Sequence, residues 1–196
     1  MRLKNPRITP VQENDWSAAQ REALTPYAAR GRLYNIFTTI GRVPEALKAF
    51  GAWGRFVMFG SSLVEREREL LILRVGWNCD AGYEWAQHRR IALKAGLSAE
   101  ELIGIKRGPG WTDWRERDRL LLRAADELGQ SCFISNATWN ALAQHFSERQ
   151  LMDIVFVVGH YTQVCMILNA FGVQLEPELD ADPDFEPVEP QHPGLS

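Results

Sequence analysis

The sequence is short of thiols, of strand pattern and of charge of one sign. Three cysteines, Cys79, Cys132 and Cys165, are spread over 196 residues. An odd, sparse count argues for a reducing compartment and against a disulfide framework, so a cytoplasmic protein is expected. No Cys-x-x-Cys occurs, which leaves a thiol at Cys79 without a neighbouring resolving partner in the sequence. Basic residues number 22 and acidic ones 25, a net charge of −3, so the basic footprint of a nucleic-acid binder is missing. No apolar stretch follows Met1, and no signal peptide is expected. The most apolar segment, 154–173, is interrupted by Gly159, His160, Gln163 and Asn169. It reads as a buried helix and not as a membrane span. Alternating strand patterns and hairpin dipeptides are nearly absent.

What is present is helical spacing, repeated along the chain. Helices are expected near 17–30, 32–41 and 44–59, with Pro44 placed for a helix start. "SSLVEREREL" offers Ser62 and Glu65 as a capping box. The "LLILRVGW" that follows is apolar on nearly every side, as in a helix buried all round. Another helix spans 80–95 and closes at Gly96. Ser98 with Glu101, and Ser147 with Gln150, open two more. "GPGW" (108–111) is a loop before a charged amphipathic helix over 112–128, and "SNATWNALAQHF" supplies another helix. The expectation is an all-α fold, a single-domain bundle of eight or nine helices. Residues 1–30 read as an N-terminal extension, 31–175 as the helical domain and 176–196 as an acidic, Pro-rich tail. The tail holds seven acids and no Lys or Arg, leaving 22 basic against 18 acidic residues, +4, in the rest. That composition suits an extended segment, and the +4 body mildly favours anionic ligands.

At 100° per residue, Ala81, Glu84, His88, Ile91, Ala92 and Ala95 share one stripe, with Gln87, Arg90 and Lys94 opposite. Glu84 and His88 are thus one turn apart on an otherwise apolar face. Burying them is costly unless they pair, and an i, i+4 offset allows it. The carboxylate raises the imidazole pKa and burial lowers it, a balance that suits proton transfer near neutral pH. Glu69 lies on the buried stripe of the preceding helix and could face the same point. Two carboxylates and a histidine would form an acid–base constellation. The same pattern also fits a satisfied interior pair, with Glu69 neutralising Arg66 or Arg68. Cys79 sits about 180° from His88 if the helix includes it, and reads as a small residue packed at a helix start. No second His or Cys stands at zinc-ligand spacing. His160, among Phe156, Val157, Val164 and Ile167, reads as a core histidine or a pocket residue, and His145 as a surface one. The tryptophans, Trp53, Trp77 and Trp85 among them, read as core or subunit-interface residues.

"ERERELLILRVGW", "YEWAQH" and "ALKAGLSAEEL" together resemble the carboxymuconolactone decarboxylase family, within the alkylhydroperoxidase-D-like superfamily. The resemblance covers roughly 30–175 and is most specific over 61–106. It implies packed helices and a homo-oligomer, a trimer or a hexamer, with sites near subunit contacts. The peroxidase branch carries a glutamate, then Cys-x-x-Cys, then a histidine four residues on. In that frame the glutamate falls on Glu69, the histidine on His88 and the thiol positions on Ala81 and Glu84. The resemblance therefore implies the decarboxylase branch: a cofactor-free, metal-free loss of CO2 from a small carboxylated lactone or a related enolisable acid. His88 would donate the proton, Glu84 would tune it, and Glu69 would be a second acid–base group. Arg66 or Arg68 could grip the substrate carboxylate, with Tyr83 and His160 as further substrate-site residues. A thiol oxidoreductase using Cys79, or a non-catalytic oligomeric relative, are the competing expectations.

Overall fold

The structure, a computed structural model, describes residues 1–189. Among these, nine α-helices form one bundle around a continuous apolar core. They are α1 (Ala18–Ala28), α2 (Asn35–Ile40), α3 (Pro44–Arg55), α4 (Glu65–Asn78), α5 (Gly82–Lys94), α6 (Ala99–Arg107), α7 (Glu116–Ser131), α8 (Asn136–Leu142) and α9 (Glu148–Phe171). A five-residue π-helical turn, Phe56–Gly60, continues α3. There is no sheet among the described residues, only one parallel bridge between Leu3 and Val188.

The helix starts follow their side-chain chemistry. Ser17 with Gln20, Ser98 with Glu101 and Ser147 with Gln150 each form a capping box. These satisfy N–H groups that have no partner within the helix. Ser62 does not cap α4 as expected. Its N–H and its hydroxyl both donate to Asp153 of α9 at 2.7 Å. Glu67 accepts from the Val64 N–H instead, at 3.3 Å, and α4 starts two residues later. The charged helix expected over 112–128 also starts late. The Trp114 indole donates to the Gly108 carbonyl at 3.0 Å and keeps the preceding residues in the loop.

α4 is the axis of the bundle and packs against α5, α7 and α9. Leu70, Leu71, Ile72 and Leu73 are all fully buried, which is why this stretch shows no polar face. Their burial supplies on the order of 1.5–3 kcal/mol per side chain. α9 is long and apolar enough to cross a membrane by length and composition alone. In the bundle, its Ile154, Val157, Val158 and Leu168 are buried in the core.

The segment after α9 is extended, as its composition suggests, but it is docked. The Phe185 ring packs edge-on against Trp77 and tilts against Trp85. Asp182 accepts from the Trp85 indole at 2.9 Å and pairs with Lys106 at 2.8 Å. Glu176 accepts from the Tyr83 hydroxyl at 2.6 Å, from Gln87 at 2.6 Å and from the Asn35 N–H at 2.7 Å. Gln87, expected on a face opposite the polar pair, is therefore buried. The helix alone would expose it, and the docked segment covers it.

Candidate active site

α4 and α5 are antiparallel neighbours, and their polar residues meet at His88. Its Nδ1 lies 2.7 Å from Glu69 Oε2, across the helix pair. Its Nε2 lies 3.1 Å from Glu84 Oε1, one turn back on α5. That second contact is off the hydrogen-bond axis, and Glu84 Oε1 makes no other hydrogen bond. Glu69 is completely buried and Glu84 nearly so. The imidazole thus bridges two carboxylates that are both out of water.

Burial works against a charged ring at His88, but the carboxylates of Glu69 and Glu84 outweigh it and raise the pKa. Glu84 is pushed up to about 6 by burial, against the pull of the His88 charge. Protonated at both nitrogens, the ring donates Nδ1–H to Glu69. The Nε2 proton is then the one that can be passed on.

A cavity of about 1080 Å³ opens beside this line. Glu84, His88 and Arg68 contribute to its wall; Glu69 stands behind His88. α9 adds His160 and Tyr161. The Tyr161 ring meets both imidazoles edge-on, with centroids 5.1 Å from His88 and 5.3 Å from His160. Burial alone drives His160 down to about 4 and keeps it neutral, and its Nδ1 has no partner. Phe37 and Phe50 give the cavity an aromatic wall, and exposed Arg30, Arg32, Arg55, Arg90 and Lys94 surround its mouth. Two histidines of one cavity thereby have their pKa values pushed in opposite directions, one toward an acid and the other toward a proton acceptor.

The two arginine candidates separate. Arg68 is buried, lies 3.7 Å from Glu69 and leaves Nε without a hydrogen-bond partner on the cavity side of α4. Arg66 does not join the cavity. It is held by Asp118 at 2.8 Å and by Glu101, so its guanidinium is already neutralised. Tyr83 lines the cavity with its hydroxyl committed to Glu176. Cys79 lies at the C-terminal cap of α4 and does not line this cavity. Among the described residues, no group of three or more His, Cys, Asp or Glu is placed to hold a metal ion. No sequence pattern singles out Glu176, which lies far along the chain in an acidic stretch. Tyr161 could have been found from its place beside His160 on the stripe facing α5.

Fold and site define a helical domain in which a buried carboxylate–imidazole–carboxylate line borders a cavity. Residues 44–127 match the model of the Carboxymuconolactone decarboxylase family. No curated protein matches the chain. Among solved structures, a peroxidase-related protein from Ralstonia eutropha with an alkylhydroperoxidase AhpD core superposes with a TM-score of 0.76 at 19% identity, covering 88% of this chain and 93% of that one. A peroxidase-related protein from Silicibacter sp. gives 0.73 at 19%, over 91% and 96%. The debrominase Bmp8, as a cysteine-to-alanine variant in complex with 2,3,4-tribromopyrrole, gives 0.73 at 18%, over 89% and 94%. At these identities the likeness speaks to fold, and the fold is alkylhydroperoxidase-D-like.

Proposed function

We propose that the protein is a cofactor-free acid–base lyase that decarboxylates a small carboxylated lactone or a related enolisable acid. The observation that carries the reading is His88, bridged between Glu69 and Glu84 at the wall of a cavity. Arg68 would take the substrate carboxylate in a bidentate grip. Loss of CO2 leaves its bonding electrons in the conjugated lactone, and the His88 Nε2 proton goes to the resulting carbanionic carbon. Glu69 and Glu84 stabilise the imidazolium before transfer, and solvent reprotonates the ring afterwards. The cationic mouth and aromatic wall favour an anionic, planar substrate.

The thiol reading of this cavity is less well supported, because Cys79 does not reach His88. Exposed Phe59 and Leu93 at the cavity rim favour a homo-oligomer that covers them; the family resemblance suggests a trimer or a hexamer, and the sparse cysteines a cytoplasmic one. Sedimentation of the full chain tests the assembly.

A panel of carboxylated unsaturated lactones, followed by CO2 release, tests the chemistry. Turnover should be lost in His88→Gln and fall sharply in Arg68→Gln, while Arg66→Gln keeps it. Full activity in His88→Gln would remove the proton donor from the mechanism.

A further inference from the structure

A second cleft, of about 660 Å³, lies away from the His88 cavity and brings together two cysteines that the sequence separates. Cys79 ends α4, and Cys165 lies near the end of α9. Both line the cleft, with Arg2, Arg7, Met166 and Asn169. Asn169, one turn beyond Cys165, donates to the Cys79 carbonyl at 2.7 Å and fixes the end of α4 against α9. From the other side, Arg2 pairs with Asp80, the residue after Cys79. Cys79 is half-buried, whereas Cys165 is only 1% exposed. Cys132 is exposed and does not line the cleft.

We propose that Cys79 and Cys165 are a reversible redox pair, oxidised to an intramolecular disulfide by a small-molecule disulfide entering this cleft. The assignment of roles follows from exposure and charge. Cys79 is the accessible thiol, and a hydrogen bond from Cys165 holds its pKa below the ordinary thiol value. It is the attacking group. Cys79 thiolate attacks one sulfur of the small disulfide, forming a mixed disulfide and expelling the first thiolate, which takes up a proton. Cys165 then loses its proton and attacks Cys79 Sγ, closing the protein disulfide and expelling the second thiolate. Two protein thiols are oxidised and one small disulfide is reduced to two thiols.

Cys165 is held well above the usual thiol range in the reduced protein, first by its hydrogen bond to Cys79, then by burial, and further by the Glu84 and Cys79 charges. Both Cys79 causes vanish once Cys79 is in the mixed disulfide. The resolving thiol is therefore easier to ionise at the stage that needs it.

The test uses the full reduced chain, glutathione disulfide as oxidant, alkylation of remaining thiols, and peptide mapping by mass spectrometry. The expected product is a Cys79–Cys165 link that dithiothreitol reverses, with Cys132 alkylated. Cys165→Ser should trap a glutathione mixed disulfide on Cys79, and Cys79→Ser should give neither product. Circular dichroism checks that these variants fold, with Cys165→Ala in place of the serine if the hydroxyl is not tolerated. Recovery of both cysteines alkylated would overturn the proposal. So would a stable mixed disulfide on Cys79 in the unsubstituted chain.

Discussion

His88 and Glu69, nineteen positions apart and on different helices, share a 2.7 Å hydrogen bond in the interior of the bundle. The bond couples folding to protonation. Without His88, two buried carboxylates lose the group between them, and Arg68 stays 3.7 Å from Glu69 but does not replace it at Glu84. We expect His88→Ala to cost about 3–5 kcal/mol at neutral pH, as for a buried pair that has lost one partner. The loss should shrink near pH 5, about one unit below the Glu84 pKa of about 6, because Glu84 then takes up a proton and the repulsion fades. Urea unfolding at the two pH values measures both.

The two cavity histidines should titrate on opposite sides of the ordinary value of 6.5. For His88 the folded pKa is raised. Its contribution to stability is complete below the unfolded value and is lost as pH rises through the folded one. For His160 the folded pKa falls to about 4. Its contribution is complete above 6.5 and is lost as pH drops toward 4. Histidine NMR should show one resonance shifting in each region. His160→Phe should lose less stability than the parent over the acid interval.

Removing Glu176 takes the partner from three donors, the Tyr83 hydroxyl, the Gln87 amide and the Asn35 N–H. Glu176→Ala should cost about 2 kcal/mol, within the range for hydrogen bonds to a charged group. Burial first, then the Glu176 charge, raise the Tyr83 phenol. Glu176→Gln should therefore lower its titration in alkaline ultraviolet difference spectra, although burial keeps it above a free tyrosine.

Phe185 is 3% exposed, and its contacts are the Trp77 and Trp85 rings. Phe185→Ala should cost about 3 kcal/mol in local docking. The penalty falls on the tail, so limited proteolysis should release it first, well before the helical body unfolds.

Much of this architecture was legible in the sequence. Serine caps with Glu or Gln three residues on marked α6 and α9, because the chemistry of a cap is local. Glu84 and His88 were visible as polar residues on an apolar stripe, and Glu69 as their counterpart on α4. The late start of α7 has a local cause, the Trp114–Gly108 bond, but the other failures are long-range. Ser62 faced a distant acceptor in Asp153, so its local box never formed. Gln87 looked solvent-facing because helical periodicity cannot register a segment ninety residues away that returns to cover it. Arg66 and Arg68 are equivalent by spacing. The positions of Asp118 on α7 and Glu101 on α6 separate a neutralised arginine from one beside the cavity. The meeting of Cys79 with Cys165 at one cleft was hidden for the same reason.

The docked tail has a thermodynamic consequence for any molecule that enters the cavity. Glu176 holds Tyr83, and Tyr83 is also cavity wall, so tail attachment and ligand occupancy draw on the same hydroxyl. A ligand that claims this hydroxyl must weaken tail attachment by the free energy that tail release returns to it, since such coupling is reciprocal. A ligand that leaves it untouched will tighten or spare the tail. The rate at which protease clips the acidic end is then a gauge of what occupies the cavity, readable before any product is known.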